Sequence, residues 1–401
     1  MNNFNNKKFD IAIIGSGIIG SLQALLLAQS GFDVLLLDAA KSSSEKYFNN
    51  NINLDLPPDL RMSAVTLRSE EILEQVGIIK KLQNRYGLIK NIHIWEENGP
   101  GALTFEAVSI GKNYLSKLIE NNLLQEAINQ SIESCNNITV IRPCIIHNII
   151  KNNINIDNNI YQAELIIGAD GGNSWVRDYF KFNTDIKNYD HSAIITTVYT
   201  STPHNNTAYQ QFLQDGPIAF LPFLTQNNQN ISSIVWSQSP NNSKYWLRCE
   251  KQVFLDKLTS FISGKLGQVL DCDERLDFPL ICRHSENYYK ENCVLIGDAA
   301  HTIHPLAGQG LNLGIYDAAA LTEVLIWAKE NNYNLNNEYV LKKYDLRRRG
   351  HNQLVMNLMD FFKKLYSYES TGIQLLRNLG MNFIDQSNFL KKTIARQAAG
   401  Y

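Results

Sequence analysis

The chain has 401 residues, of which 44% are hydrophobic and 19% are charged, and its formal net charge is −2. This length exceeds one typical core, so one large domain or two interleaved domains are expected. The small net charge offers no general attraction to nucleic acid, and no basic stretch is interleaved with aromatic residues. We therefore expect an ordinary globular protein with no nucleic-acid partner.

The six cysteines are scattered singly and form neither a C-x-x-C pair nor a cluster with histidine at metal-ligand spacing. This pattern predicts reduced thiols, no metal site and a cytoplasmic location. The first ten residues lack the apolar core of a signal peptide, and we find no apolar run near the roughly 18 residues that span a bilayer. Any membrane contact is therefore expected to be peripheral, at the inner face.

The N-terminal region carries the pattern of a βαβ unit. The apolar run Phe9–Ile14 predicts a buried parallel strand, and the letters GSGIIG follow at once. Leucines then recur at helical spacing, and a second apolar run, Val34–Leu37, ends at Asp38. A G-x-G-x-x-G motif between strand and helix, with an acid after the second strand, predicts dinucleotide binding.

Each residue of this motif has a physical role. Gly15 would make the tight turn, Gly17 would admit a pyrophosphate to the backbone, and Gly20 would let the helix pack on the strand. Asp38 would accept hydrogen bonds from a ribose diol. The motif alone leaves NAD and FAD open.

A polar, proline-bearing loop over Asn49–Asp59 precedes Arg61, which lies just before a predicted helix. This arginine is either a solvated charge or a clamp on a pyrophosphate, because a guanidinium matches phosphate oxygens. Farther along, we predict strands at 92–95, 102–105, 138–141, 145–150 and 154–160. A helix is predicted over 114–128, with Leu118, Ile119 and Leu123 on its apolar side.

A second carboxylate-bearing turn follows the apolar run Ala163–Ile167. It reads Gly168-Ala-Asp170-Gly171, and a serine and an arginine come soon after. The spacing permits either a simple Asp-Gly turn or a part of the dinucleotide site.

From residue 189 to 236 strands follow one another without helices between them, which predicts a largely antiparallel sheet. This sheet would form a second domain grown out of the first. A helix over 254–266 and a strand beginning at Phe278 complete the region.

A third turn follows the apolar run Val294–Ile296 and reads Gly297-Asp298. A loop with Pro305, Gly308 and Gly310 comes next, and a helix begins near Leu311 and Asn312. Glycines remove the Cβ that would block a close ligand, and a helix N-terminus presents free N–H groups. The alternative is an ordinary joint between a strand and a helix.

Residues 339–401 contain eleven Lys and Arg against four Asp and Glu, within a predicted helical region. Such a segment could contact an anionic membrane or an acidic partner. The alternative is a docking helix with a solvated basic face.

Together these segments resemble the FAD-dependent aromatic hydroxylases, the para-hydroxybenzoate hydroxylase-like flavoprotein monooxygenases. The match is closer to the ubiquinone-biosynthesis hydroxylases of that class. The stretches that carry it are DLRMSAVTLRS, LIIGADGGNSWVR, QQFLQDGPIAFLP and GDAAHTIHPLAGQGLNLG. Two positions depart from the usual pattern: Asp38 stands where Glu is frequent, and Gly172 where Ala is common.

The resemblance implies a mixed α/β fold. Its parts would be a Rossmann-like FAD-binding domain (1–75, 100–185 and 278–335), an interleaved antiparallel-sheet substrate domain (76–99 and 186–277) and a C-terminal helical region (336–401). It also implies an FAD site formed by Gly15, Gly17, Gly20, Asp38, Arg61, Asp170, Asp298, Pro305, Gly308, Gly310, Leu311 and Asn312.

Within this implied site Arg61 would reach the flavin side of the cofactor, Asp170 would serve both FAD and NAD(P)H, and Asp298 would bind the ribityl chain. No catalytic base can be named. His304 and Pro305 are the candidates in the flavin loop, and a histidine there could equally bond to backbone.

The implied activity is hydroxylation of a prenylated phenol or quinol by NAD(P)H and O2 through a flavin C4a-hydroperoxide. Apolar strand motifs around Phe220, Leu221 and Trp236 would exclude water and could hold a prenyl tail. Other ubiquinone-biosynthesis proteins are implied partners. Alternatives are a hydroxylase of soluble aromatic compounds, a nicotinamide-only dehydrogenase, and an FAD-holding assembly component without turnover.

Overall fold

The computed structural model describes most of the chain. The described residues are 7–41, 48–49, 51–52, 56–97, 99–157, 159–225, 228–262, 264–302, 309–367 and 381–401. The predicted site residues His304, Pro305 and Gly308 lie outside them.

The strands, in chain order, are β1 Lys8–Ile14, β2 Val34–Leu37, β3 Phe48–Asn49, β4 Asn51–Ile52, β5 Met62–Thr66, β6 Gly87–Ile89, β7 Asn91–Glu96, β8 Ala102–Glu106, β9 Ser116–Glu120, β10 Ile138–Ile141, β11 Ile146–Ile150, β12 Asn153–Ile156, β13 Asn159–Gly168, β14 Thr184–Thr200, β15 Thr207–Phe212, β16 Ile218–Thr225, β17 Asn228–Gln238, β18 Val269–Cys272, β19 Leu276–Ser285, β20 Tyr289–Lys290, β21 Cys293–Leu295 and β22 His301–Thr302. The helices are α1 Ile18–Gln29, α2 Leu67–Gln75, α3 Ile78–Lys81, α4 Asn121–Glu133, α5 Trp175–Tyr179, α6 Pro240–Arg248, α7 Lys251–Ile262, α8 Gln309–Glu330, α9 Glu338–Ser367 and α10 Asn388–Ala398. Short 3-10 turns occur at Ala107–Ile110 and Gly297–Ala299.

The first sheet has a parallel centre in the order β10, β2, β1, β13 and β21. Its last residues are in register: Ile14 pairs with Leu37 and Gly168, and Gly168 pairs with Leu295. Strands β1, β2 and β21 are almost wholly buried in the main hydrophobic core, and α1 packs against β1 and β2. This arrangement confirms the predicted mixed α/β fold with an N-terminal βαβ unit.

The second sheet runs in the order β22, β19, β14, β17, β16, β15, β7 and β8, with β18 beside β14. Its neighbouring strands are antiparallel except for β15 and β7, which are parallel. Helices α6 and α7 pack on one face, where Trp236, Phe254 and Phe261 share a core. The predicted antiparallel sheet is therefore present.

A three-stranded sheet of β5, β9 and β6 corrects one prediction. The chain over 114–128 is not one helix: Ser116–Glu120 is a strand, and α4 begins only at Asn121. The spacing predicts that Leu118 and Ile119 lie on a helix face, but both belong to β9, and every residue of β9 is buried between β5 and β6. Long-range pairing therefore outweighs the local helical spacing.

Among the described residues one helix, Gly310–Glu330, has the length and composition of a membrane span, whereas the sequence reading found no such run. In the fold 67% of its apolar window is buried. It also carries the buried polar residues Asn312 and Asp317. This helix, the body of α8, is therefore a core helix that packs mainly against α1 and α9.

Candidate cofactor site and substrate cavity

The three turns predicted from the sequence lie at one edge of the parallel sheet. The residues that follow β1, β13 and β21 are Gly15, Ala169 and Ile296, and the strand ends are paired in register. A hydrogen bond of 2.7 Å from Ala169 N to Ile14 O joins the first two turns. The carboxyl ends of parallel strands are the usual ligand-binding edge of such a sheet.

The glycines of the first turn differ in what surrounds them. A Cβ on Gly15 would lie 2.4 Å from the Ala169 carbonyl oxygen, and one on Gly20 would lie 1.9 Å from the Gly15 oxygen. A Cβ on Gly17 would meet nothing within 4 Å, and Gly17 lines a large cavity. Gly15 and Gly20 therefore allow close packing, while Gly17 leaves space for a ligand.

Asp38 follows β2 and is held by the same turn. Its Oδ2 accepts hydrogen bonds from Ser16 N at 2.5 Å and Ser16 Oγ at 2.8 Å, and Oδ1 accepts one from Ala40 N at 2.8 Å. A carboxylate oxygen can accept more than one hydrogen bond. Asp38 could therefore still accept the hydrogen bonds from a ribose that the sequence predicts.

The cavity has a volume of about 620 Å³ and lies between the parallel sheet and the second sheet. Residues from all three turns and from the start of α8 line one side: Gly17, Ala169, Gly171, Asp298, Gly310 and Leu311. The first turns of α1 and α8 both border it, so the positive ends of two helices face one space. Asn312, also predicted to lie at this site, does not line the cavity. Its side chain instead donates a hydrogen bond to Ala64 O and accepts one from Thr66 N, both in β5.

Arg61 also lines the cavity and is exposed. Its Cζ lies 5.8 Å from the centre of the Phe278 ring. Behind it, a buried ion pair between Arg85 and Glu120 holds the approach to β5, because Glu120 Oε1 accepts a hydrogen bond from Asp59 N at 2.8 Å. The fold thus delivers a guanidinium to the cavity wall, as the predicted clamp requires.

Asp298 is exposed into the cavity that it lines. Desolvation by the surrounding protein raises the pKa of its carboxyl group; Asp317 adds to this, and His301 and Arg283 partly offset it. No residue in the described ranges donates a hydrogen bond to its carboxylate. A partly desolvated carboxylate facing a cavity suits a ligand that brings hydroxyl donors.

Asp170 is placed differently from its neighbours. Its Oδ2 accepts a hydrogen bond from Val176 N at 3.0 Å at the start of α5, and Oδ1 is buried with no partner among the described residues. Burial raises the pKa of this carboxyl group. Ala169 and Gly171, not Asp170, line the cavity. Asp170 would therefore affect a bound cofactor indirectly, by holding the conformation of the turn.

Arg177 belongs to the motif LIIGADGGNSWVR, for which the sequence predicts no role of the arginine. In the structure it connects two of the turns. Its Nη1 donates to Ala299 O at 3.2 Å and its Nη2 to Gly172 O at 2.9 Å. It is buried and ties the second turn to the third. A buried arginine at the start of a short helix has no local sequence signal for this bridge.

The second sheet forms the apolar wall, and here the sequence reading needs correction. Of the three residues expected to shield the site, only Leu221 lines the cavity. Phe220 and Trp236 are buried on the opposite face of the sheet, against α6 and α7. Side chains alternate across a strand, so neighbours face opposite ways. The residues that do face the cavity include Ile195, Ala219, Leu221, Ser233 and Val235.

These features fit FAD. Gly17 leaves a backbone cradle, and the N-termini of two helices border the cavity, where they would attract anionic groups. Asp298 offers an acceptor for hydroxyl groups, and the cavity continues to an apolar wall. A nicotinamide-only site would leave the third turn without a partner. The fold and this site define an FAD-binding protein with an apolar cavity beside the cofactor turns.

Comparison with known proteins agrees. The model of a family described as FAD binding domain matches residues 151–358, more than half of the chain. A second model, described as ketopantoate reductase PanE/ApbA, matches only residues 11–83, around the N-terminal βαβ unit. The 3-demethoxyubiquinol 3-hydroxylase of Escherichia coli is 31% identical, over 98% of this chain and 99% of the relative. The chain belongs to the ubiquinone-biosynthesis hydroxylase family of FAD-dependent monooxygenases.

More distant matches fit the same family and fold. The human mitochondrial ubiquinone biosynthesis monooxygenase COQ6 is 28% identical, over 96% of this chain and 91% of its own length. Two solved structures share the fold. PqsL of Pseudomonas aeruginosa, a probable FAD-dependent monooxygenase, has a TM-score of 0.76 at 18% identity and covers 94% of this chain and 100% of its own. The p-nitrophenol 4-monooxygenase PnpA of Pseudomonas putida has a TM-score of 0.76 at 15% identity, with 98% of each chain covered.

The glycines provide a matched pair of substitutions. Gly17→Ala should leave the melting temperature nearly unchanged, since its φ of −68° suits alanine, but should weaken FAD binding because the methyl group enters the cradle. Gly20→Ala should destabilise the fold by about 1–3 kcal/mol or more through overpacking. Thermal unfolding and flavin titration separate the two effects. Equal behaviour of the two variants would contradict the assignment of Gly17.

Asp298→Asn should weaken FAD binding about 30-fold, equivalent to about 2 kcal/mol for lost charge-assisted hydrogen bonds. Because folding raises the pKa of Asp298, the ionised carboxylate destabilises the empty fold above that pKa. The variant should therefore raise the melting temperature of the apoprotein at pH 7 and lose that advantage at strongly acidic pH.

The wild-type affinity for FAD should fall on acidification through the raised pKa of Asp298, whereas the affinity of the Asp298→Asn variant should not. Flavin fluorescence quenching across pH 4–8, compared between the two proteins, measures this. Normal FAD affinity in the variant would sink the proposed role of Asp298.

Proposed function

We propose that this protein hydroxylates the aromatic ring of a polyprenylated phenol or quinol intermediate of ubiquinone biosynthesis, with FAD as cofactor and NAD(P)H and O2 as cosubstrates. One observation carries the proposal: a single cavity joins the turn of Asp298 and the start of α8 to the apolar face of the second sheet. Cofactor and an apolar aromatic substrate would therefore meet in one space.

The chain's own groups have defined tasks in this reaction. Gly17 and the start of α1 would receive the pyrophosphate, Arg61 would neutralise it from the other side, and Asp298 would hold the ribityl hydroxyls. Backbone N–H groups at Gly310 and Leu311 would stabilise negative charge on the ring of the reduced cofactor. When bound, FAD supplies the redox chemistry that takes hydride from NAD(P)H and activates O2.

The apolar wall would exclude water and orient the substrate. Ile195, Leu221 and Val235 come from three neighbouring strands and face the cofactor turns across the cavity. Exclusion of water protects a reactive oxygen species from unproductive decay. The described residues at this wall include no carboxylate, histidine, lysine or arginine, so we assign no catalytic base.

Two features favour a prenylated substrate over a soluble one. The wall is largely aliphatic, and the relatives named above are named for ubiquinone intermediates. The soluble-aromatic alternative remains an outcome of the test below.

We further propose a peripheral position at the cytoplasmic face of the membrane, through α10. Phe389 is 78% exposed, and Lys392 and Arg396, three and seven residues after it, are exposed on the same helix face. The same helix ends at Ala398, which lines the cavity. A lipid surface that touched α10 would therefore lie close to the substrate space.

The basic excess of the C-terminal region is smaller at the surface than in the sequence. In the described part of this region four of its cations are paired with carboxylates: Arg347 with Glu323, Arg348 with Asp317, Arg349 with Asp345 and Lys391 with Asp385. Membrane contact would consequently depend on a few residues of α10, and association with other ubiquinone-biosynthesis proteins could use the same surface.

The enzymatic proposal predicts that the purified protein is yellow and that a prenylated phenol stimulates NAD(P)H oxidation, with a product heavier by one oxygen atom. A strain lacking the gene should accumulate the unhydroxylated quinone precursor, whose structure identifies the ring carbon. Bound FAD without substrate-stimulated oxidation would favour the assembly-component alternative. Equal stimulation by an unprenylated phenol would favour the soluble-substrate alternative.

A wall variant sharpens this test. Val235→Phe should retain FAD but reduce kcat/KM for the prenylated phenol about tenfold or more, since it narrows the substrate space. The matched control is Ile234→Val, because Ile234 is the next residue of β17 and packs in the core on the opposite face. The two variants should differ in kcat/KM, and equal effects would argue against substrate binding at this wall.

The membrane proposal predicts that Phe389→Ser combined with Lys392→Glu lowers flotation with anionic liposomes and leaves FAD content unchanged. Val253→Ser, at an exposed apolar residue of α7, is the control and should float like the wild type. Unchanged flotation of the α10 variant would exclude this surface as the membrane contact.

A further inference from the structure

A buried cluster of charged and polar side chains lies behind the third turn. Its members are Asp317 of α8, His301 of β22, and Arg348 and Asn352 of α9, and none is more than 7% exposed. None of them lines the cavity. We call this group the Asp317 cluster, and the functions assigned so far do not use it.

The cluster converges on one carboxylate. Oδ2 of Asp317 accepts a hydrogen bond from Gly297 N at 3.1 Å and bonds to His301 Nε2. Oδ1 accepts hydrogen bonds from Arg348 Nε at 2.8 Å and from Asn352 Nδ2 at 3.1 Å. Each carboxylate oxygen therefore has two partners, which is the way a buried charge is stabilised.

The charge of this carboxylate is secured by its neighbours. Burial would raise the pKa of Asp317, but attraction to His301 and Arg348 and their hydrogen bonds hold it well below the usual range. Arg348 Nη2 also donates to Asn352 Oδ1 at 2.8 Å, which fixes the pair on α9. These contacts therefore favour the charged form of Asp317.

Two of the four contacts bracket Asp298. Gly297 immediately precedes it, and His301 follows three residues later, so the turn is held on both sides. Gly297 adopts a left-handed φ of +57°, and a Cβ there would lie 3.3 Å from Ile19 Cγ2 of α1. The turn is therefore tightly packed. Its first backbone N–H, that of Gly297, donates a hydrogen bond that the Asp317 carboxylate accepts.

We propose that Asp317 is a positioning residue: by holding Gly297 and His301 it fixes the third turn and aims the Asp298 carboxylate at the cofactor. The proposal rests on the role proposed for Asp298 in FAD binding. Asp317 itself touches neither cofactor nor substrate, and its effect on affinity passes through the turn. Helix α9 joins the site through Arg348 and Asn352, although none of its described side chains lines the cavity.

A double-mutant cycle on FAD affinity tests this, measured by flavin fluorescence quenching with Asp298→Asn, Asp317→Asn and the double variant. Asp317→Asn should weaken FAD binding about tenfold. The double variant should bind no more weakly than Asp298→Asn alone, because Asp317 acts only through Asp298. Additive losses would overturn the proposal.

Thr322→Val is the matched control for general destabilisation. Thr322 lies in α8, is buried, and bonds to Gln23 and Ala318 instead of the turn. This variant should lower the melting temperature and leave FAD affinity unchanged. A comparable loss of affinity in Thr322→Val would show that Asp317→Asn acts by loosening the fold, and would overturn the positioning role.

Two further outcomes separate the inference from its premise. Asp298→Asn with normal FAD affinity overturns the role of Asp298 and leaves the hydroxylase function standing. Weak binding by Asp298→Asn with normal binding by Asp317→Asn overturns the positioning role alone. If Asp317→Asn does not fold, Asn352→Ala takes its place in the cycle, with a smaller, non-additive loss expected and additivity counting against the proposal.

Discussion

The site depends on the parallel pairing of β1 with β13 and of β13 with β21. Because these strands run in the same direction and end in register, three turns that are far apart in the chain arrive side by side. Each turn contributes backbone with little side-chain bulk, at Gly17, Gly171 and Gly297. Such an edge can receive an extended anionic cofactor with modest help from charged side chains.

The charged side chains around that edge fall into two groups, those that face the cavity and those that are buried behind the turns. Asp298 and Arg61 face the cavity, whereas Arg177 and Asp317 are buried and hold the turns from behind. Loss of one partner from a buried ion pair such as Asp317–Arg348 typically costs about 3–5 kcal/mol. Arg177 instead holds two turns through hydrogen bonds to backbone carbonyls. Buried residues that do not line the cavity therefore help to position the turns that carry the cavity-facing groups.

The second sheet provides a contrasting environment. Its cavity face is largely apolar, and its other face forms a core with α6 and α7, so one sheet serves both a domain core and a cavity wall. An apolar wall opposite polar backbone groups would strengthen electrostatic interactions once water is excluded. Helix α10 adds Ala398 to the wall and presents Phe389 outward, which links this space to the surface.

Local signals in the sequence were sufficient for the parallel strands, the glycine turns and the acids after them. Glycine spacing and apolar runs report short-range backbone geometry, and the motif of the third turn is specific enough to indicate the family. The same signals failed over 114–128, where a strand pairs with β5 and β6, and at Phe220 and Trp236, where alternation was overlooked.

Tertiary structure alone decided which turns are neighbours, which face of each strand meets the cavity, and which buried residues hold the site. Nothing near Arg177 in the chain indicates Ala299 as its partner, and nothing near Asp317 indicates Arg348. The sequence indicates only that Asp317 is a carboxylate among the apolar residues of α8, which suggests a buried partner but does not identify it. Partners of this kind are set by packing between distant segments, whereas turns and strands are set by the residues within them.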